Sequence, residues 1–327
     1  MKITIRDFEK TLSFNLDHIA QLCGQNIMKK TYICESIRRY FSSFKYSEEK
    51  NKWRDNVLFD NENPGRKAYS VISLSNPADM MAVIKLTKQS LMYEFLKSSM
   101  QDFQWQKQME IIENQLAEMF LELNNRIKDF GNIAMTYSVS DVWDMIQKST
   151  VTDTNENDLS ELSNYELCTT CLGLLEGVIE RMPRKTILIL ENADHFLTRE
   201  EYRQVFRKLG QLNYKHGILS IVTLSLDGYL VAERDDLEDV TVFNDTEFSL
   251  PSFEYLCDFI EFNYPIQRTM QEDEVLTVIE KCVHNIAREN ALVSIEENVI
   301  CKLINNTLQM EEKVACGTES ERHFIEL

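Results

Sequence analysis

Residues 187–190 read Ile-Leu-Ile-Leu, an unbroken apolar run that ends on Glu191. A strand apolar at every position has no face to offer water, so it belongs in a parallel sheet covered on both sides. The next segment, TREEYRQVFRKLGQLN, has helical spacing with Thr198 at its start, and ILSIVTLSL then supplies a second apolar strand. Strand, helix and strand in this order require a parallel crossover. The fold class expected from this unit is α/β with a mostly parallel sheet.

The first 76 residues extend that expectation. KITIRD and TLSFNL alternate apolar and polar residues and read as a β-hairpin, and HIAQLCG reads as a third strand ending at Gly24. From Met28 to about Phe44 the apolar residues Ile33, Ile37, Tyr40 and Phe41 fall at helical spacing. Between strand and helix lies GQNIMKKT, residues 24–31. It matches the phosphate-loop pattern G-x-x-x-x-G-K-[ST] at Gly24, Lys30 and Thr31, but Lys29 stands where the second glycine belongs. A side chain there hinders the close backbone approach that wraps phosphate, so Lys29 needs either an unfavourable conformation or a different loop path. Glu191, at the end of its apolar strand, occupies the place of a magnesium-binding carboxylate. The two half-motifs point to P-loop ancestry, with Gly24, Lys30, Thr31 and Glu191 as a degenerate nucleotide site and no efficient hydrolysis. The plainer alternatives are that Lys30 and Thr31 simply open a helix and that Glu191 is a solvated strand-end charge.

After Asn76-Pro77 the chain changes character. From Ala78 to about Asp129 apolar residues recur at three and four with hardly a helix breaker, which predicts some fifty residues of helix, as a hairpin or a long leg. VSDVWDMIQKS and residues 160–181 continue the helical pattern around a polar linker, VTDTNENDLSELS. From Pro251 onward FEYLCDFIEFN, DEVLTVIEKCVHNIAREN and IEENVICKLINNTL read as helices. The partition expected is an α/β head of residues 1–76 plus 181–250, a helical leg of 77–180, and an acidic helical extension of 251–327.

The net charge of −18 is unevenly placed. Residues 226–327 hold 7 Lys/Arg against 23 Asp/Glu, while residues 1–225 hold 28 against 30. Overall acidity therefore does not exclude a basic DNA-facing surface in the first two thirds. No apolar run reaches membrane length, and the N-terminus lacks the pattern of a signal peptide. The eight cysteines then read as reduced thiols of a cytoplasmic protein. Cys168-x-x-Cys171 lies in a helical pattern without a second pair, so it reads as a helix pair rather than a metal or redox site. The five histidines are scattered without ligand spacing and read as structural.

The order of hairpin, defective loop, long helical insertion, KTILILENADHFLTREEYRQVF and ILSIVTLSL resembles the CRISPR-associated Csn-two family of type II-A systems, in its large form. The resemblance implies a head similar to P-loop ATPases without a working nucleotide site, and hence no enzyme. It also implies a homotetrameric ring that binds double-stranded DNA ends without sequence preference and acts in spacer acquisition with the integrase pair and the RNA-guided nuclease. Calcium is implied too, although the short-form acidic ligands find no match in IAMTYSVSD before Trp143.

The residues add a candidate surface. Lys29, Lys30, Arg38, Arg39, Lys45, Lys50, Lys52 and Arg54 lie in one stretch against Glu35, Glu48 and Glu49, and Arg126, Lys128 and RMPRK at 181–185 are further candidates. Such clusters suit phosphate contact, and no base-reading motif accompanies them. Solvated helix and loop faces are the alternative. Two other functions stand beside DNA binding: an active P-loop ATPase with an altered loop, and a scaffold whose acidic C-terminal part docks a basic protein.

Overall fold

The computed structural model describes residues 1–6, 11–42, 56–130, 133–136, 140–244, 246–266, 271–285 and 318–326. The chain is mixed α/β. Its strands pair mostly in parallel, and a separate small sheet has three antiparallel strands. Contacts group the chain into two units, residues 1–67 with 219–327 and residues 68–218.

The first unit opens with the expected hairpin, β1 (Lys2–Arg6) paired antiparallel with β2 (Thr11–Asn15). Strand β3 (Ile19–Cys23) is buried at all five residues and leads through a short turn into helix α1 (Ile27–Phe41). β4 (Val57–Phe59) completes the small sheet beside β1. β3 is flanked in parallel by β7 (Leu219–Thr223) and β8 (Val240–Phe243). Burial at all five residues of IAQLC is the pattern of a parallel strand whose sheet is covered on both faces. β9 (Glu247–Ser249), a short antiparallel edge strand, was not legible in the sequence. Helices α8 (Phe253–Asn263), α9 (Glu272–Cys282) and α10 (Glu319–Glu326) belong to this unit. The predicted helix IEENVICKLINNTL lies outside the described residues.

In the second unit, β5 (Ser70–Leu74) pairs parallel with β6 (Thr186–Leu190), in register Ile72↔Leu188. The fifty-residue helix expected after Ala78 is in fact three: α2 (Pro77–Ile84), α3 (Leu91–Ser99) and α4 (Phe103–Ile127). Neither glycine nor proline breaks them. Lys85 turns extended, Ser90 restarts the chain by accepting the Tyr93 N–H at 3.1 Å, and Asp102 stands extended before α4. Ser and Asp are helix-starting residues because their side chains satisfy or favour the free N–H groups of a first turn.

α4 has 25 residues and buries none of them, leaving Phe103, Ile111, Met119 and Leu121 exposed. α5 (Ser140–Gln147) follows. α6 (Asn164–Arg181) and α7 (Arg199–His216) both begin with capping boxes, Ser163 with Glu166 and Thr198 with Glu201. α7 ends at Gly217, which adopts the left-handed conformation. No helix among the described residues is long and apolar enough to cross a membrane.

Cys168 and Cys171 face inward from α6 as free thiols, the second donating to the Met80 carbonyl at 3.4 Å. Burial pushes the Cys168 thiol up to about 12 and raises Cys171 as well, so both are core groups without thiolate character at neutral pH.

Candidate functional site

The stretch 24–31 begins as a phosphate loop would, where a buried parallel strand hands over to a helix. Gly24 sits at φ +98, and a Cβ there would stand 2.4 Å from the Phe243 carbonyl oxygen. Only glycine fits that position. The path then departs from a wrapped loop. Asn26 accepts the Lys29 N–H at 3.1 Å as N-cap, and α1 starts at Ile27. Lys29 is therefore already inside the helix. The missing second glycine is resolved by shortening the loop to three residues, not by straining Lys29.

The backbone donors of this short turn all have partners within the chain. Gly24 N–H donates to His284 Nδ1 at 3.1 Å, Gln25 N–H to Asn244 Oδ1 at 2.7 Å, Asn26 N–H to the Phe243 carbonyl at 2.9 Å and Ile27 N–H to the Gln25 carbonyl at 2.9 Å. Asn244 in turn donates to the His284 carbonyl at 3.0 Å. In a nucleotide site these N–H groups would face phosphate oxygens.

Lys30 completes the closure. Its side chain is 1% exposed, and its ammonium donates to the Gly24 carbonyl at 2.6 Å, the Leu224 carbonyl at 2.5 Å and Ser225 Oγ at 2.8 Å. An ammonium has three donors, and all three are engaged. Lys30 is thus removed from the DNA-binding candidates: a group this buried makes no contact with a duplex. Thr31 follows half-buried in α1.

Glu191 belongs to the other unit, at the end of β6. It is 5% exposed, its Oε2 accepts from Ser75 Oγ at 3.3 Å and its N–H donates to the Leu74 carbonyl at 3.1 Å. The alternative of a solvated strand-end charge is corrected by this burial, which follows from the parallel neighbour β5.

A model of the CRISPR-associated protein Csn2, subfamily St, matches residues 5–326. The chain belongs to the Csn2 family. Stu0660 of Streptococcus thermophilus, known from its crystal structure, is similar over 100% of this chain and 99% of its own, with a TM-score of 0.77 at 19% identity, and so shares the fold. Fainter likeness extends to cbiO1 of Clostridium perfringens, part of the ABC transporter complex cbiONQ, with a TM-score of 0.39 and 13% identity over 80% of this chain and 95% of that one. An Smc head bound to the C-winged helix domain of ScpA gives 0.40 and 11% over 76% and 97%. No curated protein matches the chain.

The basic candidates of this Csn2 chain are placed unequally. Lys29 pairs with Glu247 at 3.1 Å, and Arg39 pairs with Glu35 one turn back on α1. Arg38 is half-buried in the last turn of α1. Arg126 is largely exposed on α4 and paired with Glu122, and Lys128 is exposed just beyond. Of RMPRK, Arg181 pairs with Asp102 at 2.8 Å, Arg184 pairs with Glu94 at 2.7 Å, and the Lys185 ammonium lies 5.8 Å from the Tyr69 ring centre. Lys45, Lys50, Lys52 and Arg54 lie outside the described residues.

Calcium prefers a cage of oxygen ligands. The cluster of metal-capable side chains among the described residues is Glu176, Glu180 and His216, and its imidazole nitrogen does not suit calcium. No described residue is therefore assigned to it. His284, Asn244 and Ser225, which close the loop, were missed in the sequence. They lie roughly 200 residues or more away from Gly24, and nothing local in VTVFND or CVHN marks them.

Proposed function

We propose that this Csn2 chain is a non-catalytic, cytoplasmic protein that binds double-stranded DNA ends through phosphate contacts, as a homotetrameric ring acting in CRISPR spacer acquisition with the integrase pair and the RNA-guided nuclease. The observation that carries the non-catalytic part is the Lys30 ammonium, turned inward onto Gly24, Leu224 and Ser225. A lysine held there does not reach a terminal phosphate, and the turn's N–H groups are already engaged. Family membership supports the CRISPR role.

Self-association draws support from α4, whose exposed apolar residues find no cover among the described residues of one chain. DNA binding draws support from the near-neutral balance of residues 1–225 and from exposed basic groups such as Arg126 and Lys128. Calcium enters this reading through the family resemblance alone.

The test is a gel shift of linear and covalently closed circular duplex of identical sequence over a salt series, with and without calcium, beside an ATP turnover assay. Retention of linear DNA, weak holding of circles, a steep salt slope and background ATP turnover are expected. Equal binding to both forms removes the threaded ring. No binding at low salt, or ATP turnover lost in Lys30→Ala, overturns the reading.

A further inference from the structure

On the second unit, Glu176 and Glu180 stand one turn apart on α6 and so project from one face. His216, the last residue of α7, meets them: its Nε2 lies 3.8 Å from Glu176 Oε1 and 3.9 Å from Glu180 Oε1. That nitrogen is buried and makes no hydrogen bond. One ligand atom from each of the three residues falls within 4.8 Å of the others. Two ligand atoms about 2.0–2.1 Å from a tetrahedral zinc ion stand roughly 3.3–3.4 Å apart, so small rotations of these side chains reach that geometry.

We propose that Glu176, Glu180 and His216 form a site for a zinc-class divalent metal ion. Imidazole nitrogen selects zinc, cobalt or nickel over calcium and magnesium, which take oxygen. Two fixed fields favour a cation there. Glu180 lies in the last turn of α6 and His216 in the last turn of α7, and the negative ends of both helix dipoles meet at these residues. Glu180, Lys215 and His216 also border an open hollow of about 810 Å³, which leaves room for a water or another ligand to complete the coordination.

Two lysines bear on the same carboxylate. Lys208 holds Glu176 Oε2 at 2.5 Å, and Lys215 holds Oε1 at 3.0 Å. Only Lys215 competes for the oxygen that faces His216. Its side chain is 55% exposed, so it gives way to a divalent ion and returns to water at small cost. Lys208 remains and fixes the carboxylate orientation, as an outer partner of a metal ligand does.

The test is a cobalt(II) titration of the chelator-treated full chain, followed by visible absorption and competed with zinc. Binding of one cobalt per chain without the strong near-ultraviolet band of thiolate ligation is expected. His216→Ala and Glu180→Gln should each weaken it at least tenfold, and Lys215→Gln should tighten it severalfold. Glu180 is 59% exposed, so its substitution tests the site without endangering the fold. No cobalt bound by the wild-type chain, wild-type affinity in either weakening variant, or a thiolate band that persists in both overturns the proposal.

Discussion

The Lys30 ammonium donates to the carbonyl of Gly24, 2.6 Å away and six residues earlier in the chain. The lysine of the loop thus binds the first residue of the same loop.

Replacing Lys30 should therefore act on folding. Lys30→Ala leaves the Gly24 and Leu224 carbonyls and Ser225 Oγ without their shared donor in a buried place. A loss of about 2–4 kcal/mol is expected, from unsatisfied acceptors and a cavity together. Urea unfolding of the variant beside the wild-type chain measures it. Unchanged stability would contradict the closed loop.

Gly24→Ala should be costly as well. The substitution meets both the left-handed φ and the Phe243 carbonyl at 2.4 Å. About 2–3 kcal/mol and a fall of several degrees in Tm are expected. Gly173→Ala, in α6 with nothing near its Cβ position, is the control and should stabilise slightly.

Glu176 gives the clearest pH dependence. The hydrogen bond from Lys208, joined by that from Lys215, lowers its carboxyl from the ordinary 4.5 to about 2. A folded pKa below the unfolded one adds stability that is fully present above about pH 4.5 and is lost as pH falls toward 2. Glu176→Gln should cost about 1 kcal/mol at pH 7. The gap between variant and wild type should close across that acid window in thermal melts at stepped pH.

Thiol labelling separates the cysteines. Cys168 and Cys171, buried and raised, should resist iodoacetamide in the native protein, while Cys257, only partly covered, should react first of these three. Peptide mapping after labelling reads the order. Early modification of Cys168 would mean that α6 opens in solution.

If DNA is held by phosphate contacts, exposed and paired cations should contribute differently. Lys128→Gln should lower the slope of log K against log salt by about one. Lys29→Gln should change it little, because Lys29 is held by Glu247 at 3.1 Å. Salt titrations of a fluorescent duplex distinguish the two.

Much of the framework was legible locally. Ile187–Leu190 announced a doubly covered parallel strand, Thr198 announced its helix start, and the first hairpin alternated as expected. The long helix after Ala78 was misread because Ser90 and Asp102 break it by restarting a helix rather than by ending one, and no glycine or proline marks the place. The loop was legible as damaged but not as closed. Its closure depends on Leu224, Phe243, Asn244 and His284, partners brought in by strand order and by the C-terminal elements. A carboxylate–imidazole cluster shared by the ends of two helices has no sequence spacing to reveal it, since Glu180 and His216 are joined only by the parallel course of α6 and α7.

Under the proposed function, the three-residue turn at Gly24–Asn26 leaves this head without the part that, in a nucleotide-driven machine, tells one moment of a cycle from the next. The N–H groups of the turn are held by Phe243, Asn244, His284 and Gln25 rather than waiting on a phosphate. On the reading proposed above, the protein carries no clock of its own. When it takes hold of DNA and when it lets go are then set from outside, by concentration, salt and the partners that compete for the same ends.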